Sequence, residues 1–298
     1  MAEMFRGTGV ALVTPFREDL SVDYDALAQL VEHLTDGGVD YLVVMGTTAE
    51  SPTLNNSEKI KVLECVQSHN LKRLPVVYGM GGNNTASLVD QYKKFEGEVD
   101  AFLVVTPYYN RPNQQGLIRH YEAIADVAKK PIILYNVPKR TGVNMEAETV
   151  IRLSAHPNII GVKEASGGNL EQTAAIAAGV PDGFLLTSGD DDLIIPFIKA
   201  GGHGVISVIA NALPKETVAL VSEIVNGNEE NADAVNANLT TFLDLIFQEG
   251  SPSGIKHLLK ELGIGNGKLR LPLVEVSDGL GRQLKELAKN LSIKKGVI

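Results

Sequence analysis

The residue of this chain best placed to do chemistry is a lysine inside an apolar run. Lys163 stands in Ile159-Ile160-Gly161-Val162-Lys163-Glu164-Ala165. A cation in a buried strand is costly unless it is paired or neutralised. Gly161, two residues earlier on the same face, adds no bulk beside it. Two readings stand. The amine is a nucleophile that forms a Schiff base with a carbonyl substrate, or the side chain leaves the strand end for a carboxylate such as Glu164. The first sets a demand. A lysine amine ordinarily titrates near about 10.4, so a nucleophile poised at about pH 7.4 needs roughly 4 kcal/mol of destabilisation of the cation. Apolar walls are a physical source of that destabilisation.

Imine formation also needs a proton relay, because a carbinolamine must lose water. Tyr135 closes another apolar run, Ile132-Ile133-Leu134-Tyr135-Asn136. Its phenol can donate and accept a proton; the alternative is a packed ring with a tethered hydroxyl. Thr47 and Thr48, in Gly46-Thr47-Thr48-Ala49-Glu50-Ser51, are either ordinary β-branched residues near a strand end or donors for a substrate carboxylate. Arg140, in Val137-Pro138-Lys139-Arg140-Thr141-Gly142, is either solvated or a bidentate carboxylate ligand.

These residues need a scaffold, and the pattern around them supplies one. Short apolar runs occur at 8–14, 41–45, 76–79, 101–106, 132–136, 159–164, 184–188 and 204–208. Most are continuous rather than alternating, as expected of parallel strands buried on both faces. Helical patterns lie between them, at 25–35, 57–67, 86–95, 116–129, 147–153, 170–178, 191–200 and 215–225. The mean unit is roughly 28 residues, and strands alternating with such helices imply a parallel sheet. Eight units fit a (β/α)8 TIM barrel, whose active site lies at the C-terminal strand ends. A doubly wound open sheet is the alternative, since alternation alone does not close a barrel. After Asn228 the beat stops, and 229–248, 253–262 and 276–290 read as helices. The expected division is a catalytic barrel at 1–226 and a C-terminal helical domain at 227–298.

Composition narrows the rest. A net charge of -9 over 298 residues lacks the basic footprint of a nucleic-acid binder. One Cys builds neither a disulfide framework nor a thiolate cage. No apolar run approaches the roughly 18 residues of a membrane span, and the N-terminal segment does not read as a signal peptide. A soluble cytoplasmic protein acting on a small molecule is expected. Asp190-Asp191-Asp192 reads as a helix opening rather than a metal site. The six histidines show no metal-ligand spacing, so no metal is expected. Ser253-x-x-Lys256 matches the Ser-x-x-Lys of penicillin-binding enzymes but lacks its companion motifs and reads as structural.

With Tyr108-Tyr109-Asn110-Arg111-Pro112, Val10-Ala11-Leu12-Val13-Thr14-Pro15-Phe16 and Gly204-Val205-Ile206-Ser207-Val208 added, the motifs above span the chain. Together they resemble the dihydrodipicolinate synthase family of pyruvate-dependent Schiff-base lyases. The resemblance implies a TIM barrel with a helical C-terminal domain, assembled as a homotetramer, a dimer of dimers. It implies that Lys163 condenses with pyruvate and that the enamine attacks L-aspartate 4-semialdehyde. Cyclisation then gives the dihydrodipicolinate precursor of diaminopimelate and lysine. It assigns Tyr135 as proton shuttle, hydrogen-bonded to Thr47, with Tyr109 completing the relay from the neighbouring subunit. Thr48 binds the pyruvate carboxylate and Arg140 that of the aldehyde. Gly189 and Ile206 offer backbone groups near the pyruvate. No metal or organic cofactor is implied.

The sequence departs from the family pattern in places. Ala49 stands where Gly is usual, which would be strained if φ there were positive. Asn56, Lys59 and Ser87 occupy the positions of the His, His and Glu that bind inhibitory lysine in feedback-regulated members, so weak or absent inhibition is expected. N-acetylneuraminate lyase and the 2-keto-3-deoxy sugar acid aldolases share the Lys and Tyr. Arg140 with Thr47-Thr48 suits a short carboxylated aldehyde better than a polyol. A catalytically dead paralogue would have no reason to retain Lys163, Tyr135 and Thr47 together.

Overall fold

The computed structural model describes residues 2–295. Met1 and residues 296–298, the outer ends of the two expected domains, lie outside the described residues. Eight strands form a closed parallel barrel in sequence order. They are β1 (Gly7–Ala11), β2 (Tyr41–Val44), β3 (Val76–Gly79), β4 (Ala101–Val105), β5 (Ile132–Asn136), β6 (Ile159–Glu164), β7 (Leu185–Ser188) and β8 (Gly204–Ser207). β8 returns to β1 with Gly204 opposite Gly7 and Ser207 opposite Val10, so the sheet has no edge and the open-sheet alternative falls.

Helices α1 (Tyr24–Asp36), α2 (Asn56–His69), α3 (Thr85–Lys94), α4 (Gln114–Ala125), α5 (Pro138–Thr141), α6 (Ala147–Ser154), α7 (Leu170–Gly179), α8 (Ile194–Lys199) and α9 (Pro214–Val225) follow the strands. Their starts are written in the sequence. Asp23, Asn55, Asn84, Asn113 and Asn169 each accept a backbone N–H from the first turn of α1, α2, α3, α4 and α7. A cap of this kind contributes about 1 kcal/mol. Three more helices close the chain: α10 (Glu229–Gln248), α11 (Ser253–Glu261) and α12 (Asp278–Lys295).

Two apolar layers divide the strand residues by parity. Tyr41, Val43, Ile133, Tyr135, Leu185 and Ile206 fill the barrel, with Phe5 packed edge-on against Tyr41. Leu42, Val44, Ile132, Leu134 and Val162 face the helices.

Three departures from the sequence expectation have a physical reason in the structure. β1 stops at Ala11 instead of running to residue 14. The amide of Val13 binds Asn211 Oδ1 at 3.2 Å instead of a strand partner, and Pro15 has no amide hydrogen to offer. The helix expected over 191–200 splits into a 3-10 turn, Asp191–Leu193, and α8, because the Asp191 carboxylate turns to other backbone donors. The third, α5, is a single turn opened by Pro138 and closed by Gly142 at φ 73°. It went unforeseen because four residues carry no periodicity.

One outer-layer residue predicts a pH dependence of stability. His120 on α4 is 4% exposed, with Nδ1 2.8 Å from Thr85 Oγ1. Burial holds its imidazole down to about 4. An unfolded imidazole titrates near about 6.5, so on acidification the unfolded chain takes the proton first. Stability from this group is full above about pH 6.5 and falls by roughly 3 kcal/mol as the pH drops towards 4. Urea unfolding of His120→Gln across that window should show a shallower slope than the native chain. Equal slopes would refute the assignment.

Candidate active site

β6 carries Lys163 into the barrel and Glu164 out of it. In the sheet Lys163 lies between Tyr135 of β5 and Thr187 of β7. Its Nζ sits 4.6 Å from the centre of the Tyr135 ring. Glu164 turns instead to the helix layer, where Asn136 Nδ2 donates at 3.0 and 3.1 Å and Gln172 Nε2 at 2.9 Å. The reading in which Lys163 reaches for Glu164 therefore fails, since adjacent strand residues point to opposite faces. Burial pushes the Glu164 carboxyl up, and the Asn136, Gln172 and Ser166 donors pull it back.

Lys163 is 5% exposed and opens into a cavity of about 500 Å³ at the C-terminal strand ends. The same cavity is bordered by Thr47, Thr48, Tyr135, Arg140 and Gly189. Six of the eight residues singled out by the sequence thus meet in one place. Gly189 is there for space: a Cβ on it would lie 2.8 Å from Lys163 Cε and 2.6 Å from Ala165 Cβ. Gly161 is equally constrained, because its Cβ would meet the Leu185 carbonyl oxygen at 2.7 Å.

Tyr109 and Ile206 do not line that cavity. Ile206 is fully buried in the barrel interior. Tyr109 follows β4 at φ 76° and is 88% exposed, a costly arrangement for a large aromatic in water.

Thr47 and Thr48 belong to a 3-10 turn, Thr47–Ala49, after β2. The left-handed residue of this turn is Glu50 at φ 54°, not Ala49, so the strain that a positive φ would bring to an alanine there does not arise. Arg140 sits on α5, where Pro138 starts the turn that aims it at the rim.

Two carboxylates shape the field around the amine. Burial pushes Asp190 and Asp191 up, and the Lys163 cation is one of the groups pulling each back down. Asp191 Oδ2 accepts the Val208 and Ile209 amides at 2.8 and 3.1 Å. Among the described residues no group of three or more His, Cys, Asp or Glu is placed to hold a metal ion.

A larger cleft of about 780 Å³ meets the first at Thr47, Tyr135 and Arg140 and runs outward to Asn56, Lys59 and Ser87. Burial pushes the Lys59 ammonium down.

A barrel closed around an inward lysine with a tyrosine beneath its amine is the arrangement to compare with known proteins. The sequence profile of the dihydrodipicolinate synthetase family matches residues 4–291. This chain belongs to that family. The 4-hydroxy-tetrahydrodipicolinate synthase of Parabacteroides distasonis is 46% identical over 292 residues, covering 97% of this chain and 98% of that protein. The crystal structure of dihydrodipicolinate synthase from Thermotoga maritima superposes with a TM-score of 0.93 at 37% identity, covering 97% of this chain and 99% of that one. The Acinetobacter baumannii enzyme, solved in complex with pyruvate, gives 0.92 at 35% identity, covering 97% and 99%.

The dihydrodipicolinate synthetase match takes in α10 and α11 as well as the barrel. Phe247 at the end of α10 and Ser251 beyond it border the Lys163 cavity. No motif marked them, because an aromatic at the end of an amphipathic helix reads as packing. Among the described residues no helix is long and apolar enough to cross a membrane.

Proposed function

We propose that this chain is a 4-hydroxy-tetrahydrodipicolinate synthase, a lyase of the diaminopimelate and lysine pathway. The observation that carries it is Lys163: a buried amine over the Tyr135 ring, opening into a cavity that Thr47, Thr48 and Arg140 also border.

Lys163 Nζ adds to the C2 carbonyl of pyruvate, and the carbinolamine loses water to give an iminium. With Thr47 as its relay partner, Tyr135 carries the protons of that exchange, and Tyr109 of a neighbouring subunit links the relay to solvent. The exposure and left-handed backbone of Tyr109 support a residue offered outward. Thr48 holds the pyruvate carboxylate, and backbone groups of Gly189 and Ile206 lie near the bound pyruvate. Loss of a methyl proton gives the enamine, whose carbon attacks the aldehyde of L-aspartate 4-semialdehyde, while Arg140 binds that substrate's carboxylate. The amino group of the second substrate then closes the ring on the imine carbon and releases Lys163. The balance is one pyruvate and one semialdehyde in, one ring product and one water out. The electron sink is the imine, so no metal or organic cofactor enters.

We place the enzyme in the cytoplasm as a homotetramer, with a catalytic barrel at 1–226 and a helical domain at 227–298. The end of strand–helix alternation at α9 supports the boundary.

The test is borohydride reduction. With pyruvate present, reduction should leave a covalent adduct on the peptide containing Lys163; its absence would remove the Schiff-base reading. Activity with aspartate semialdehyde and none with sugar aldehydes then separates this enzyme from the related lyases.

Feedback regulation is the next expectation. Asn56, Lys59 and Ser87 line the large outer cleft, and a half-buried ammonium there repels a second one. L-lysine at millimolar concentration should leave the rate nearly unchanged. Half-maximal inhibition below 1 mM would overturn this.

A further inference from the structure

The Ser-x-x-Lys sequence of α11 holds a buried ion pair that reaches the candidate active site. Lys256 Nζ donates to Glu50 Oε1 at 2.7 Å, with side chains 3% and 0% exposed. The same ammonium donates to the Thr14 carbonyl oxygen at 2.9 Å, and Thr14 Oγ1 donates to the Ala49 carbonyl oxygen at 2.7 Å. Glu50 Oε2 accepts the Arg270 amide at 3.0 Å. The centre of the Phe16 ring lies 4.2 Å from Lys256 Nζ and 4.5 Å from Arg270 Cζ. Burial pushes the Lys256 ammonium down to about 8, against the opposing pull of Glu50.

The pair grips a strained point. Glu50 holds φ 54° and ψ 34° and closes the turn Thr47–Ala49 by donating its amide to the Thr47 carbonyl oxygen at 3.1 Å. A non-glycine residue in that region persists only when its surroundings over-determine it. Here the surroundings come from the far end of the chain. Simple attachment of the helices would not need a buried charge pair, since an apolar contact of similar volume is often as stable.

We infer that Glu50 and Lys256 are positioning residues for the Thr47-Thr48 turn, so that α11 sets the geometry with which pyruvate is bound. This rests on the proposed pyruvate chemistry. Removal of the pair lets the turn relax, and a displacement of about 1 Å can cost up to about 10²-fold in a positioned reaction.

The experiment measures borohydride trapping of pyruvate on the full-length enzyme as a function of pyruvate concentration. Lys256→Met and Glu50→Gln are each expected to raise half-saturating pyruvate by about tenfold or more, with full labelling of Lys163 still reached at saturation. The double variant Glu50→Gln/Lys256→Met leaves no unpaired charge. It should regain most of the lost thermal stability and keep the raised half-saturation. Where Lys256→Met does not fold, Glu50→Gln and the double variant decide. Folded variants with lowered Tm but native half-saturation would show a purely structural pair and overturn the inference. Failure of the native enzyme to label at all would instead overturn the Schiff-base reading beneath it.

Discussion

Lys163→Ala is expected to lower kcat by about four orders of magnitude or more and to abolish borohydride trapping of pyruvate, while the chain stays folded. The size follows from covalent catalysis. Without the amine there is no imine, so the pyruvate methyl group keeps the acidity of an ordinary ketone and no enamine forms. Tyr135 and Arg140 still border the cavity, but they have no intermediate to act on. The chain should stay folded, because the amine packs over a tyrosine ring at a polar rim and Asp191 keeps its Val208 and Ile209 amide donors when the cation is removed. The neighbouring Glu164 keeps its own donors, Asn136 and Gln172. Steady-state rates, intact-protein mass after reduction and thermal melting check the three parts. Residual turnover within about a hundredfold of native would remove Lys163 from the role.

Tyr135→Phe is expected to lower kcat by about 10²–10³-fold, the usual contribution of a positioned proton-transfer group. The ring remains, so the packing beneath Lys163 and the cation–π contact at 4.6 Å remain with it. Half-saturating pyruvate should therefore move little. What slows is dehydration of the carbinolamine: trapping reaches the native extent, but over a longer time. The two variants are thus told apart by labelling. One never accumulates the adduct, and the other accumulates it slowly. A Tyr135→Phe enzyme with native labelling kinetics would assign the shuttle elsewhere.

The legibility of this site in the sequence follows from barrel geometry. Short apolar runs ending in polar residues locate strand ends, and strand ends locate the rim. Thr47, Thr48, Tyr135 and Arg140 were therefore accessible as types at places, Gly189 came only with the family resemblance, and Lys163 stood out because a cation in Ile-Ile-Gly-Val is improbable packing. Closure itself was not legible, because the bonds between β8 and β1 join residues nearly two hundred positions apart. Nor was the α5 turn, whose four residues have no period, although it carries Arg140. The grip of Lys256 on Glu50 was not legible either, although Ser253-x-x-Lys256 reads as structural. Its meaning depends on a contact spanning 206 positions, which no window of sequence contains.

The opposite facing of Lys163 and Glu164 has a consequence for how this enzyme can vary. Side chains in a strand alternate, so a one-residue slip exchanges inside for outside. A single deletion in the first half of β6 would bring Glu164 to the inward place of Lys163, opposite Tyr135, and turn Lys163 towards the helices; a single insertion would turn Lys163 outward to the place of Glu164, opposite Asn136. No point mutation is needed to invert the chemistry; a change in counting suffices. Length in β6 is therefore constrained as well as the identity of Lys163. Variation in this enzyme has room in the loops, where an added residue shifts nothing downstream out of phase.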